Sequence, residues 1–238
     1  MSIFLRREKG SLLFLLLVLF SCSPQGKETV VSENSIAPAY LPVDTFNILS
    51  TDKLKLTLDY CKENYGLNTY KIDTPRIVVV HYTAINRLDA TLNTFKPDHI
   101  ASSREYIKDF SSLNVGIHYV VDQDGRIFNL MPDTIIARHL IGLNHVSLGI
   151  ENVANDSTDL TDSQIESDVK LIKFLVNKYP TIRYMIGHNE YNSQSAPHYK
   201  YFKSLNSDYK AQKRSDPGNA YMSRLRERLA DDGVVLEK

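Results

Sequence analysis

Tryptophan is absent, cysteine occurs only twice, and neither sign of charge prevails, with 28 Lys and Arg against 28 Asp and Glu. A balanced chain without a basic block lacks the electrostatic footprint that nucleic-acid binding demands. Two cysteines permit at most one disulfide, which excludes a disulfide-stapled scaffold. Long apolar runs are missing too. The longest, Leu12 to Phe20, has 9 residues, about half of what a bilayer-spanning helix needs.

What is present begins with that run. Arg6, Arg7 and Lys9 precede it and Ser21-Cys22 follows it, the layout of an export signal. A small residue before Cys resembles a bacterial lipobox, although Phe20 is bulky for that place. The resemblance implies removal of residues 1–21 and lipid on Cys22; the alternative is an ordinary signal with an incidental cysteine. With Cys22 lipidated, Cys61 has no partner, and its helical spacing with Leu54, Leu58 and Tyr65 makes it a small core residue. Residues 22–45 carry Pro, Ser and Gly without periodicity and read as a tether. The remainder, 46–238, is long enough for one domain with a substantial core.

Along that domain the patterns alternate. A helix is expected over 51–64, capped by Ser50 or Thr51. Arg76 to Val80 is β-branched and unbroken, which predicts a strand buried on both faces. Short helices are expected over 87–96 and 102–110. Gly116–Val121 and Arg126–Leu130 flank Asp122-Gln123-Asp124-Gly125, a hairpin signal. Ser147–Val153 reads as a strand. Thr161 with Gln164 forms a capping box ahead of Ile165, Val169, Ile172, Leu175 and Val176. Ile182–Ile186 is a further strand, and an amphipathic helix after Pro217-Gly218 carries Tyr221, Met222, Leu225 and Leu229. The class is α/β, with helices about a mixed sheet.

Chemistry gathers where these elements end. His81 closes RIVVVHYTA, His188 lies in RYMIGHNEY and Asp216 in KRSDPG. Each alone is an ordinary strand-end or turn residue. Together they supply two imidazoles and a carboxylate, a common catalytic zinc shell with one position open. Glu151 interrupts the apolar strand SLGIE. A carboxylate there is costly unless paired or used, so it is the candidate general base, against the reading of an exposed edge-strand residue. His139 and Asn144, in the loop entering that strand, are candidate substrate contacts or plain loop polarity. Lys213 and Arg214 could stabilise an oxyanion or form a solvated charge pair. His118 opens the hairpin strand and reads as structural, bonded beneath the site; His145 and His198 receive no role.

The fragments VVVHYTA, VGIHYVVDQDGRIFNL, R-H-x-x-G, N-x-x-S-L-G-I-E, IGHNEY and KRSDPG, in this order over about 75–229, resemble the type 2 N-acetylmuramoyl-L-alanine amidases, which share a fold with peptidoglycan recognition proteins. The resemblance implies a zinc enzyme that cuts the amide between the lactyl group of N-acetylmuramic acid and L-alanine. It implies His81, His188 and Asp216 as zinc ligands, Glu151 as base and His139 at the substrate cleft. Ile117 replaces the Tyr that some members use, which raises the weight on Glu151. The family's Lys two residues before the ligand Asp is here Arg214, with Lys213 one step back; which of the two acts stays open. The long segment between His188 and Asp216 is expected to fold over the cleft. Peptidoglycan or its fragments would be the partner, with a membrane held through Cys22 and the protein a monomer. Ser23, not Asp, follows Cys22, which favours the outer membrane with the domain facing the periplasm. The competing readings are a non-catalytic peptidoglycan binder of the same fold, a zinc amidase acting on another cell-wall bond, and a structural lipoprotein.

Overall fold

The structure is a computed structural model and describes residues 41–238; the proposed signal and Cys22 lie outside the described residues. A six-stranded mixed sheet organises the chain, with β1 (Asp44–Thr45), β2 (Ile77–Tyr82), β3 (Tyr119–Val121), β4 (Ile127–Asn129), β5 (Ser147–Asn152) and β6 (Tyr184–Gly187). Their order is β1-β4-β3-β5-β2-β6, with β3 and β4 antiparallel and all other pairs parallel. The helices are α1 (Thr51–Tyr65), α2 (Leu88–Phe95), α3 (Glu105–Lys108), α4 (Asp162–Lys178) and α5 (Asn219–Asp231).

The expected elements form for the expected local reasons. The Ser50 side chain accepts from Lys53 N and caps α1. Thr161 and Gln164 bond reciprocally at the start of α4, whose apolar stripe is buried. Each such side chain contributes about 2 kcal/mol on leaving water. The hairpin turns at Gly125, whose φ of 89° suits glycine. Cys61 is buried and has no disulfide partner among the described residues. Two departures have physical causes. The helix expected over 102–110 shrinks to the single turn α3 because none of its residues is buried. The tether reading over 22–45 runs too far: Leu41 and Val43 pack against the core, β1 pairs with β4, and Phe46 N continues the pairing to Asn129 O.

In the central strands, register decides which side chains meet. Ile77 lies opposite both Ser147 and Tyr184, and His81 lies opposite Glu151. Side chains alternate across a sheet, so Ser147, Gly149 and Glu151 share one face with Ile77, Val79 and His81. The opposite face carries Leu148, Ile150 and Asn152 and is covered by α4 and α5. There Asp168 of α4 accepts from Asn152 Nδ2 at 3.0 Å and from the Tyr221 hydroxyl of α5 at 2.9 Å. The free side of β6 is blunted by the C-terminal residues, with Met185 N donating to Glu237 O.

Candidate metal centre and cleft

Parallel strands deliver their C-terminal ends to one rim, where open α/β sheets bind ligands. His81 stands at the end of β2, and His188 follows β6 directly. Asp216 comes from the loop before α5, which is tied to the His188 turn by Asn189 N donating to Asp216 O at 2.8 Å. Gly187 permits that approach, since a Cβ there would sit 3.0 Å from Pro217 and Met222. Glu190 fixes the same turn by accepting from Gly187 N at 2.9 Å.

Three donor atoms converge. His81 Nδ1 is 3.0 Å from His188 Nδ1, and Asp216 Oδ2 is 3.2 and 3.0 Å from the two imidazoles. A tetrahedral zinc shell with bonds near 2.0–2.1 Å places its ligand atoms about 3.3 Å apart, so the set fits with a slight expansion. Its charge fits as well. Burial opposes ionisation of Asp216, but the hydrogen bonds from His188 and His81 outweigh it and hold the carboxyl well below the usual range. Burial, with the His81 charge second, pushes His188 down to about 4. An ionised carboxylate beside a neutral imidazole is the state that a metal requires of its ligands.

Beside this triad a cavity of about 400 Å³ opens, lined among others by Glu151, Arg104, Tyr191, Tyr209, Lys213 and Arg214. Glu151 is on an internal strand, not an edge, and its Oε2 is buried without a hydrogen-bond partner. Burial pushes its carboxyl up to about 7; His81 and Arg104 pull against that, and the Asp216 charge adds to it. Arg214 and Lys213 both line the cavity. Arg214 is exposed, and its guanidinium donates to Gln212 Oε1 at 3.2 Å.

One sequence expectation is corrected, that Asn144 contacts substrate. Asn144 is fully buried and saturated within its own loop: its Oδ1 accepts from His139 N and Leu140 N, and its Nδ2 donates to Leu140 O and the Tyr60 hydroxyl. It braces the loop and has nothing left for a substrate. His139 does line the cavity, but both ring nitrogens are engaged, Nδ1 with His81 Nε2 at 3.0 Å and Nε2 with Ser147 Oγ at 3.2 Å. His118 lies beneath the site as expected, buried between Ile135 O and Gly149 N.

The long segment after His188 builds a wall more than a cover. Lys203 N donates to Gly142 O and Leu205 N to Asn64 O, and Tyr209 is buried against Arg138, which lies over the Tyr60 and Tyr209 rings. The Tyr106 hydroxyl of α3 donates to the carbonyls of Asp208 and Lys210 and joins the two sides. Sequence reasoning missed Arg104, which lines the cavity and makes no side-chain hydrogen bond among the described residues. A lone Arg in a polar stretch carries no signal. It also missed Ser147 and Gly149, for which a signal existed: every second residue of SLGIE is small or polar.

A family model described as N-acetylmuramoyl-L-alanine amidase matches residues 71–219, well over half of the chain. The chain belongs to that amidase family. The matched range takes in His81, His139, Glu151, His188, Arg214 and Asp216. Among solved structures, the amidase LysC from Clostridium intestinale URNW is 21% identical, with 66% of this chain and 86% of that chain covered and a TM-score of 0.46. AmiD from E. coli, solved with anhydro-N-acetylmuramic acid-L-Ala-D-gamma-Glu-L-Lys, is 21% identical over 68% of this chain and 58% of its own, at a TM-score of 0.45. PGRP-SA of Apis mellifera is 19% identical over 52% and 75%, at 0.38. A search of curated proteins gave no match.

Proposed function

We propose that this amidase-family chain is a zinc-dependent hydrolase of the amide between N-acetylmuramic acid and L-alanine in peptidoglycan or its fragments. The observation that carries the reading is the convergence of His81 Nδ1, His188 Nδ1 and Asp216 Oδ2 at one edge of a cavity that also receives the unpartnered Glu151 carboxylate. A bound Zn²⁺ would supply Lewis-acid polarisation of the scissile carbonyl and a more acidic water.

The protein residues divide the remaining work. Glu151 takes a proton from the attacking water as the oxygen bonds to the carbonyl carbon. The same carboxyl then hands that proton to the departing L-alanine nitrogen as the C–N bond breaks. Its burial serves both steps, because a carboxyl raised toward neutral pH is a stronger base and still a competent acid. Arg214 faces the charge that develops on the carbonyl oxygen. Tyr191, Tyr209 and the Thr83–Ile85 rim line the cavity and would hold the flanking sugar and peptide away from water.

Zinc analysis of the purified protein, with peptidoglycan digestion before and after chelation, tests the reading. One zinc per chain is expected, with activity lost on chelation and restored by zinc. Activity indifferent to chelation would contradict it. Lipid on Cys22 and outer-membrane placement belong to the same proposal and rest on the segment up to Ser23 alone. Cys22→Ala should then abolish incorporation of labelled fatty acid; undiminished labelling would refute the anchor.

A further inference from the structure

We infer that His139 is a positioning residue, which through Ser147 fixes the tautomer and ring orientation of His81. The inference rests on the metal reading above. A neutral imidazole carries one N–H donor and one acceptor nitrogen. His81 turns Nδ1 toward His188 and Asp216, so that nitrogen must keep its lone pair to ligate, and the proton belongs on Nε2. Nε2 lies 3.0 Å from His139 Nδ1, which must therefore accept. His139 then carries its own proton on Nε2 and donates it to Ser147 Oγ at 3.2 Å. The two rings meet edge to face, at 81° with centroids 5.2 Å apart. One direction of hydrogen bonding thus runs from His81 through His139 to Ser147, and it leaves the metal-facing nitrogen bare.

Independent features show a built arrangement. Ser147 is fully buried, so its hydroxyl has a defined setting. Gly149, two residues on and on the same face, leaves room for the ring: a Cβ there would stand 2.9 Å from His139 Cε1 and Nδ1. The His139 main chain is held by Asn144 Oδ1 at 3.0 Å. Outer partners of this kind orient metal-binding histidines and typically change metal affinity by about 10–100-fold when removed. Here the outer partner is a second imidazole in place of the usual carboxylate or carbonyl.

The test measures zinc affinity of the full chain by competition with a chromophoric chelator, together with the His139 tautomer in the zinc-loaded protein by nitrogen-detected NMR. His139→Ala should weaken zinc binding by about 10–100-fold. His139→Asn, which keeps an acceptor near Nδ1, should recover most of that loss. In zinc-loaded wild type, His139 should carry its proton on Nε2. Wild-type affinity in a folded His139→Ala would overturn the inference, as would a failure of Asn to restore binding, or a zinc-loaded wild type with His139 protonated on Nδ1. Should His139→Ala not fold, the Asn variant and the wild-type tautomer decide alone. If wild type binds no zinc, the metal reading falls, whereas normal zinc binding with an indifferent His139 removes only the positioning role.

Discussion

At the scale of the residue, the account turns on Glu151. It is raised to about 7 by burial and has one oxygen without a partner, a combination that suits a proton carrier more than a structural acid. Glu151→Gln keeps the shape and removes the base. Turnover should fall by about 10²–10⁴-fold while zinc stays bound; wild-type turnover in this variant would remove Glu151 from the mechanism. The base must be ionised to act, so kcat/KM should rise with pH through its titration. A bound dication would draw that limb below 7, and burial keeps it above the ordinary 4.5. A pH profile should place the limb in that interval for wild type and lose it in the Gln variant. The neighbouring cations separate by position, Arg214 two residues before Asp216 and Lys213 three. Arg214→Ala should lower kcat by about 10²-fold, and Lys213→Ala should change it only a few-fold. The reverse order would assign the oxyanion to Lys213.

At the scale of the element, β5 does the most. One face, Ser147, Gly149 and Glu151, serves the site, and the other, Leu148, Ile150 and Asn152, serves the core. This alternation was legible in SLGIEN, yet only Glu151 was singled out, because Ser147 and Gly149 are ordinary in a strand. The strands, the capping box and the hairpin were readable because each rests on local rules of period and turn chemistry. Asn144 was misjudged, and the partners of His139 were missed, because a loop residue's partners come from tertiary closure: Asn144 reaches Tyr60 on α1, and His139 reaches a strand-end histidine 58 positions away. Neither contact leaves a mark in sequence spacing. Behind the sheet, Asp168 links α4 to β5 and α5. Burial raises its carboxyl to about 7, opposed by the Asn152 and Tyr221 hydrogen bonds. A group that binds its proton more tightly when folded stabilises fully below its unfolded value near 3.8, and that contribution is lost as pH rises through 7. Asp168→Asn should therefore gain in Tm relative to wild type between pH 5 and pH 8, at about 2–4 °C per kcal/mol. A difference in Tm that does not change with pH would show that Asp168 does not titrate between pH 5 and pH 8.

At the scale of the whole molecule, the parallel strands bring three separated fragments to one rim. The segment between His188 and Asp216 extends that rim into a wall joined to α3. The order of the fragments was legible, as was the identity of the three converging side chains, because strand ends and turns place few other demands on such residues. The wall was not, because its contacts to Asn64, Gly142 and Arg138 join polar loops that have no periodicity. The central claim concerns one bond, and product analysis reads it directly. Purified peptidoglycan digested by the zinc-loaded protein should release, by mass spectrometry, free stem peptides beginning with L-alanine, together with glycan strands that retain intact lactyl groups. Peptides cut within the stem, or sacculi and soluble muropeptides both left whole by a protein with its zinc in place, would contradict the account.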